Sequence, residues 1–177
     1  MAPDGPRTRP SPRRWVSDLS LNASSRWTEG PAGDLTQAFA RLAIGSILLS
    51  AVADRFGAWG PYGAPNVSWG DFGHFITYTA KVNSFVPAFA PSLAVVATIF
   101  ETLFGIALIA GICTRIMAIG SACLFAVFGA AMMLSLGIKA PLNFSVFTDC
   151  AAALLLSGVP RYRWSIDALF ATGRFRR

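Results

Sequence analysis

Three ionisable side chains, Arg41, Glu101 and Asp149, stand inside stretches of sequence that are otherwise apolar. A charge at the centre of a bilayer costs at least about 2.5–3.5 kcal/mol, so such residues turn toward a helical interior or a wet cavity, often in pairs. The chemistry open to them is proton exchange by the carboxyls and charge pairing by the guanidinium. Glu101 falls nearest the middle of its apolar stretch and is the strongest anomaly of the three.

Helical spacing groups these residues with small or polar neighbours. Ala94, Thr98, Glu101 and Gly105 recur every three or four positions, Ser145, Thr148, Asp149 and Ala152 share a second face, and Gln37, Arg41 and Gly45 a third. Three such stripes predict a shared polar cavity, with Arg41, Thr98, Glu101 and Asp149 as candidate cofactor-binding residues. Depth along the helices, at about 1.5 Å per residue, puts Arg41 in the inner third and Glu101 near mid-span, with Asp149 slightly beyond. Arg41 is therefore expected to reach toward Glu101. The residues leave two readings open. One is a buried ion pair that only fixes helix register; the other is a site where Glu101, with a protonated Asp149, binds or exchanges protons with a small redox molecule such as a quinone. No catalytic residue can be named.

Other reactive residues argue for less. His74 is the single histidine, which excludes two-histidine haem ligation within one chain, and beside Asp71 and Trp69 it reads as an interfacial hydrogen-bonding residue. Cys113, Cys123 and Cys150 form no CxxC pair, so neither a disulfide framework nor a metal site is expected, and Cys123 and Cys150 read as small buried hydrophobes. Ala118, Ala122, Ala126 and Ala130, with Gly129, make a small-residue stripe that permits close helix contact within the chain or in a homo-oligomer.

The elements that must position these residues are membrane helices. Of 177 residues 54% are apolar and 14% charged, with a mean hydropathy of +0.51. The apolar residues gather in runs near the roughly 20 residues a helix needs to span about 30 Å of hydrocarbon. The predicted fold class is all-α, an integral membrane four-helix bundle with up-down antiparallel topology. Its four-helix domain covers 34–159, with helices over about 35–55, 91–112, 116–137 and 143–159. Asp34 and Gln37 have the spacing of a capping box at the first of these. Between the first two helices, residues 56–90 are too polar to cross and rich in Trp and Tyr. They are expected to lie at the interface, with a flat amphipathic helix over 71–85, and to cap one mouth of the bundle.

Flanking this domain, residues 1–33 read as a disordered basic tail and 160–177 as a basic amphipathic tail at the membrane surface. No secretory signal peptide is visible at the start, and the first membrane helix is expected to act as its own insertion signal. The net charge of +6 does not point to nucleic acid, because the arginines sit mainly in the tails. With the N-terminus inside, the inner side holds Arg7, Arg9, Arg13, Arg14, Arg26, Arg115, Arg161, Arg163, Arg174, Arg176 and Arg177, against Arg55, Lys81 and Lys139 outside. Lys and Arg near helix ends set topology, so both termini are expected in the cytoplasm.

Over about residues 37–159 the chain resembles the DoxX family of small membrane proteins. The resemblance rests on ARLAIG around Arg41, VSWGDFGHFITYTAKVN in the aromatic connection, ETLFGIALIAGICTR from Glu101 to Arg115, and APLNFSVFTDCAAALLL. It implies a four-helix bundle in a bacterial inner membrane. It also implies a part in membrane complexes that handle redox or oxidative stress, after a family member that is the membrane subunit of a thiosulfate:quinone oxidoreductase. The resulting expectation is a quinone-linked or redox-complex subunit, at most a membrane subunit of an oxidoreductase, with a soluble or membrane redox partner and quinone as the one candidate cofactor. A non-catalytic scaffold that anchors a soluble enzyme is the alternative, and a small proton-coupled transporter ranks below both.

Overall fold

The computed structural model describes residues 30–173, with side chains described to Phe170. The tail expected over residues 1–33 falls almost wholly outside this range, as do the final arginines. Every regular element among the described residues is helical.

Helix α1, Pro31–Arg55, opens on a proline whose missing N–H is no loss in a first turn. The expected capping box does not form, because the helix begins before Asp34. The Asp34 carboxylate instead meets Arg163 Nη1 at 3.1 Å, and Gln37 Nε2 donates to the Arg163 carbonyl at 2.7 Å. After an irregular aromatic stretch, α2 runs Phe72–Val82, with Asp71 at its N-cap accepting the His74 N–H at 2.9 Å. A 3₁₀ turn, Pro87–Phe89, leads into α3, Ala90–Ala110, which Gly111 closes at φ +71°. Then follow α4, Thr114–Leu136, a short α5, Lys139–Asn143, α6, Val146–Ser157, and α7, Ile166–Gly173.

Three of these segments are long and apolar enough to cross a membrane: Pro31–Arg55, Pro87–Ala110 and Thr114–Leu136. The fourth helix expected over 143–159 is the 12-residue apolar helix Val146–Ser157. Ser145, at φ +56°, breaks it from Lys139–Asn143.

α1 packs on α3, α3 on α4, α4 on α6 and α6 back on α1, while α2 lies against α3 and α4. Between α1 and α3 the approach is set by Gly45 and Gly105. A Cβ on Gly45 would meet Ile109 Cγ1 at 2.7 Å and the Gly105 carbonyl at 2.9 Å, and one on Gly105 would meet Leu49 at 2.8 Å. α4 buries Thr114, Ala118, Ser121, Ala122, Phe125, Gly129 and Met132. The alanine stripe expected there holds only for its first half: a spacing of four drifts around a 3.6-residue turn, so Ala126 and Ala130 are exposed. Gly129 receives the Phe147 ring, with Cε1 2.7 Å from where a Cβ would stand.

Outward faces remain apolar, among them Ile99, Leu103, Ile106, Val127 and Leu134. Hydrocarbon is the solvent that suits such a surface. Replacing Gly45 with leucine is expected to wedge α1 off α3 and to destabilise the fold by about 1–3 kcal/mol, the usual cost of overpacking. Denaturant titration of the protein in mixed micelles checks this; an unchanged midpoint would contradict the close-packed seam.

Candidate functional site

A buried ion pair forms where the last turn of α1 meets the middle of α3. Arg55 and Glu101 are each only 2% exposed, and Arg55 Nη1 contacts Glu101 Oε2. The same Nη1 donates to Thr98 Oγ1 at 2.9 Å, and the Thr98 hydroxyl donates in turn to the Ala94 carbonyl at 2.8 Å. Above the guanidinium lies an aromatic cover. Arg55 Cζ is 3.6 Å from the Phe75 ring centroid and 5.1 Å from that of Trp69, the two rings meeting edge to face at 5.0 Å. A cation over aromatic faces gains from their quadrupoles, all the more when desolvated.

Hydrogen-bonding capacity in this centre is not exhausted. Arg55 Nε has no acceptor, and Glu101 Oε2 has no well-directed hydrogen bond although it faces the guanidinium. Asp54, next in sequence, turns the other way. Its carboxylate accepts the backbone N–H groups of Ser68, Trp69 and Gly70 at 2.9, 3.3 and 3.4 Å, and so ties the aromatic connection to α1.

Of the residues singled out in the sequence, Thr98 and Glu101 come together here. Arg41 does not reach Glu101. It is buried at the far end of α3, where its guanidinium donates to the carbonyls of Leu108 at 3.1 Å, Ile109 at 3.5 Å, Trp164 at 2.9 Å and Arg163 at 3.3 Å. Leu108 lies seven residues beyond Glu101, about 10 Å along the axis. Asp149 is half-buried in the first turn of α6, and its stripe partners Ser145 and Thr148 are exposed, so that stripe does not join the other two in one polar core.

Sequence reasoning missed Arg55, because an Asp-Arg pair before a glycine- and tryptophan-rich stretch reads as a helix exit. It also missed the work of the C-terminal segment. Asp167 accepts the backbone N–H groups of Cys113 at 2.7 Å and Thr114 at 2.8 Å and the Thr114 hydroxyl at 2.8 Å, supplying from 53 and 54 residues away the cap that α4 lacks locally. At the aromatic end His74 Nδ1 lies 2.6 Å from Asp71 Oδ2, with the imidazole stacked on Tyr62 at 3.8 Å. Cys113 and Cys123 are exposed, Cys150 Sγ reaches the Ala122 carbonyl at 3.3 Å, and no cluster able to hold a metal occurs among the described residues.

The sequence model of the DoxX family matches residues 36–135, more than half of the chain. The chain belongs to the DoxX family. No curated protein and no solved structure matches it. The DoxX match takes in Arg41, Arg55, Thr98, Glu101 and the whole aromatic cover, while Asp149 and the segment around Asp167 lie beyond it. With its apolar helices, this DoxX chain is a membrane protein.

Two outcomes follow from these contacts. Arg41→Ala takes a donor from four carbonyls; those of Arg163 and Leu108 keep Gln37 Nε2 and the Gly111 N–H, while a buried acceptor left unpaired costs about 1–3 kcal/mol. Trypsin is expected to cut after Arg161 and Arg163 faster in that variant than in the parent; equal rates would show that Arg41 does not hold the segment. The second concerns Asp71, whose carboxyl lies below the usual carboxylate range because the His74 N–H and ring donate to it. A lowered folded pKa contributes stability above the unfolded value of about 3.9, and this is lost as pH falls through the lowered value. Amide exchange over α2 is thus expected to be faster in Asp71→Ala near neutral pH, with the difference closing in strong acid. A difference that is independent of pH would contradict the ionised cap.

Proposed function

We propose that this DoxX-family chain is a bacterial inner-membrane subunit of a redox complex, and that its Arg55–Glu101–Thr98 centre receives the carbonyl head of a quinone. The observation that carries the reading is the orphaned Arg55 Nε, a buried donor with no acceptor, beside the Glu101 carboxylate and beneath two aromatic rings. A quinone fits that demand: its carbonyl oxygen accepts from a guanidinium, and its flat ring suits the faces of Trp69 and Phe75. Bound there, a quinone would supply two-electron redox chemistry, with electrons drawn from a partner enzyme. The chain's own part is to orient the carbonyl through Arg55, to hold Arg55 through Glu101 and Thr98, and to keep water out.

The same reading has the chain crossing the membrane four times, α5 and α6 together making the last crossing, with both termini in the cytoplasm. Arg115, Arg161 and Arg163 gather at the end where α1 begins and Arg55, Lys81 and Lys139 at the other, so the orientation is supported by the further arginines of the sequence on either side of the helices, Arg7, Arg9, Arg13, Arg14, Arg26, Arg174, Arg176 and Arg177, under the positive-inside rule. Membrane-impermeant thiol labelling of single cysteines placed at Tyr62 and at the C-terminus checks it. Labelling from outside at Tyr62 alone is expected, and the reverse pattern would invert the topology.

Glu101→Gln tests the centre. Disturbing one member of a buried ion pair costs up to about 3–5 kcal/mol, so the fold is checked first by size exclusion and melting. Protein purified in lipid is expected to carry quinone, and the variant to lose most of it while still folded. Equal quinone content in both would remove Glu101 from the site, and a parent free of quinone would end the quinone reading.

A further inference from the structure

We infer that Asp54 is the positioning residue of this centre: by gathering the N–H groups of residues 68–70 it latches the aromatic cover over Arg55 and Glu101, and release of that cover is how a flat, ring-shaped ligand enters. The entry half of the inference rests on the reading of the centre as a ligand site; the latch half stands on geometry alone.

Asp54 is 5% exposed, and what its carboxylate accepts is backbone N–H, from Ser68, Trp69 and Gly70. Hydrogen bonds to an ionised acceptor are roughly twice as strong as neutral ones. The chain between is folded back on the helix end. Gly57 N–H donates to the Asp54 carbonyl at 3.0 Å, and Trp59 Nε1 donates to the Ser50 carbonyl at 3.2 Å. Gly70 lies at φ +69°, and a Cβ there would fall on the Tyr62 backbone, so both arms of the loop touch at the point that Asp54 grips. Trp69 is the middle of the three gripped residues, and its ring covers Arg55, so a shift of its N–H shifts the cover.

The seam between α1 and α3 offers no comparable route. Gly45 and Gly105 bring α1 and α3 too close for a methyl group. The loop, by contrast, leaves Phe56, Trp59 and Tyr62 at least 60% exposed. Segments with few buried contacts open at a fraction of the global unfolding cost.

The test is the rate at which an apolar carbodiimide modifies Glu101 in full-length protein in nanodiscs, read by peptide mass spectrometry with Asp149 as internal reference. Asp54→Asn keeps the size of the side chain and removes its charge; Gly70→Ala disturbs the same junction from the loop side. Both are expected to speed modification of Glu101 by about tenfold, the order set by losing one charge-assisted hydrogen bond, with the Asp149 rate unchanged. Parent rates in both variants would overturn the latch, and so would parallel acceleration at Glu101 and Asp149, which reports general loosening. No quinone enters the assay, so acceleration confined to Glu101 upholds the latch even where the quinone test fails.

Discussion

Removing an arginine from water without leaving its charge uncompensated is the constraint from which most of this fold follows. α1 carries two buried arginines on one face, one near its middle and one at its last residue, and each is compensated by a different device. Arg41 falls where α3 terminates, and there the last carbonyls of a helix lack intrahelical partners and carry its negative pole. Leu108 and Ile109 offer theirs, and the chain at 163–164 folds back to offer two more. Arg55 falls where α3 is in mid-course and its carbonyls are already engaged. There only a side chain can provide the counter-charge, and Glu101 does so, with Thr98 taking a further N–H and the rings of Phe75 and Trp69 the face of the guanidinium.

The two ends of the bundle differ for that reason. Around Arg41 the acceptors are main-chain groups, and its environment is consumed by holding the segment after α6 against α1: Gln37 and Arg41 fix residues 163–164, and Asp167 caps α4. Around Arg55 the partners are side chains, and the accounting stays open, with Nε and one carboxylate oxygen short of a hydrogen bond. A buried pair of this kind is weak evidence for stability, because well-packed apolar residues of the same volume often serve as well or better. Each end keeps a buried atom without a hydrogen bond, Gln37 Oε1 beside Arg41 and Arg55 Nε beside Glu101, but only at Arg55 is that atom a donor on a charged group.

How much of this the sequence disclosed depends on which residues set the geometry. Apolar runs mark the helices from composition alone, although the first begins at Pro31, ahead of the Asp34 start that the sequence suggested, and the inward faces of Gln37, Arg41 and Gly45 and of Ala94, Glu101 and Gly105 follow from helical spacing. The partner of Glu101 did not, because depth counted along separate helices ignores the register between them. Gly45 against Gly105 fixes that register, sliding Arg41 past Glu101 and leaving Arg55, with its long side chain, as the arginine in reach. Two small residues on facing stripes were the available signal. Asp167 gave none, since a cap supplied across more than fifty residues leaves no local pattern.

Register also explains why the aromatic stretch belongs to the fold and is more than a connection. With Gly45 of α1 against Gly105 in the last third of α3, the arginine at the end of α1 lies close to the bundle mouth, where hydrocarbon gives way to headgroups and water. Left open there, the Arg55–Glu101 pair would be hydrated and exchange partners freely. Phe75 from α2 and Trp69 from the loop close that opening, and Asp54, one residue from Arg55 and pointing the other way, holds the loop in place. Adjacent residues on α1 thus carry the guarded charge and the fastening of its guard, so a change in how the last turn of α1 is wound alters both together.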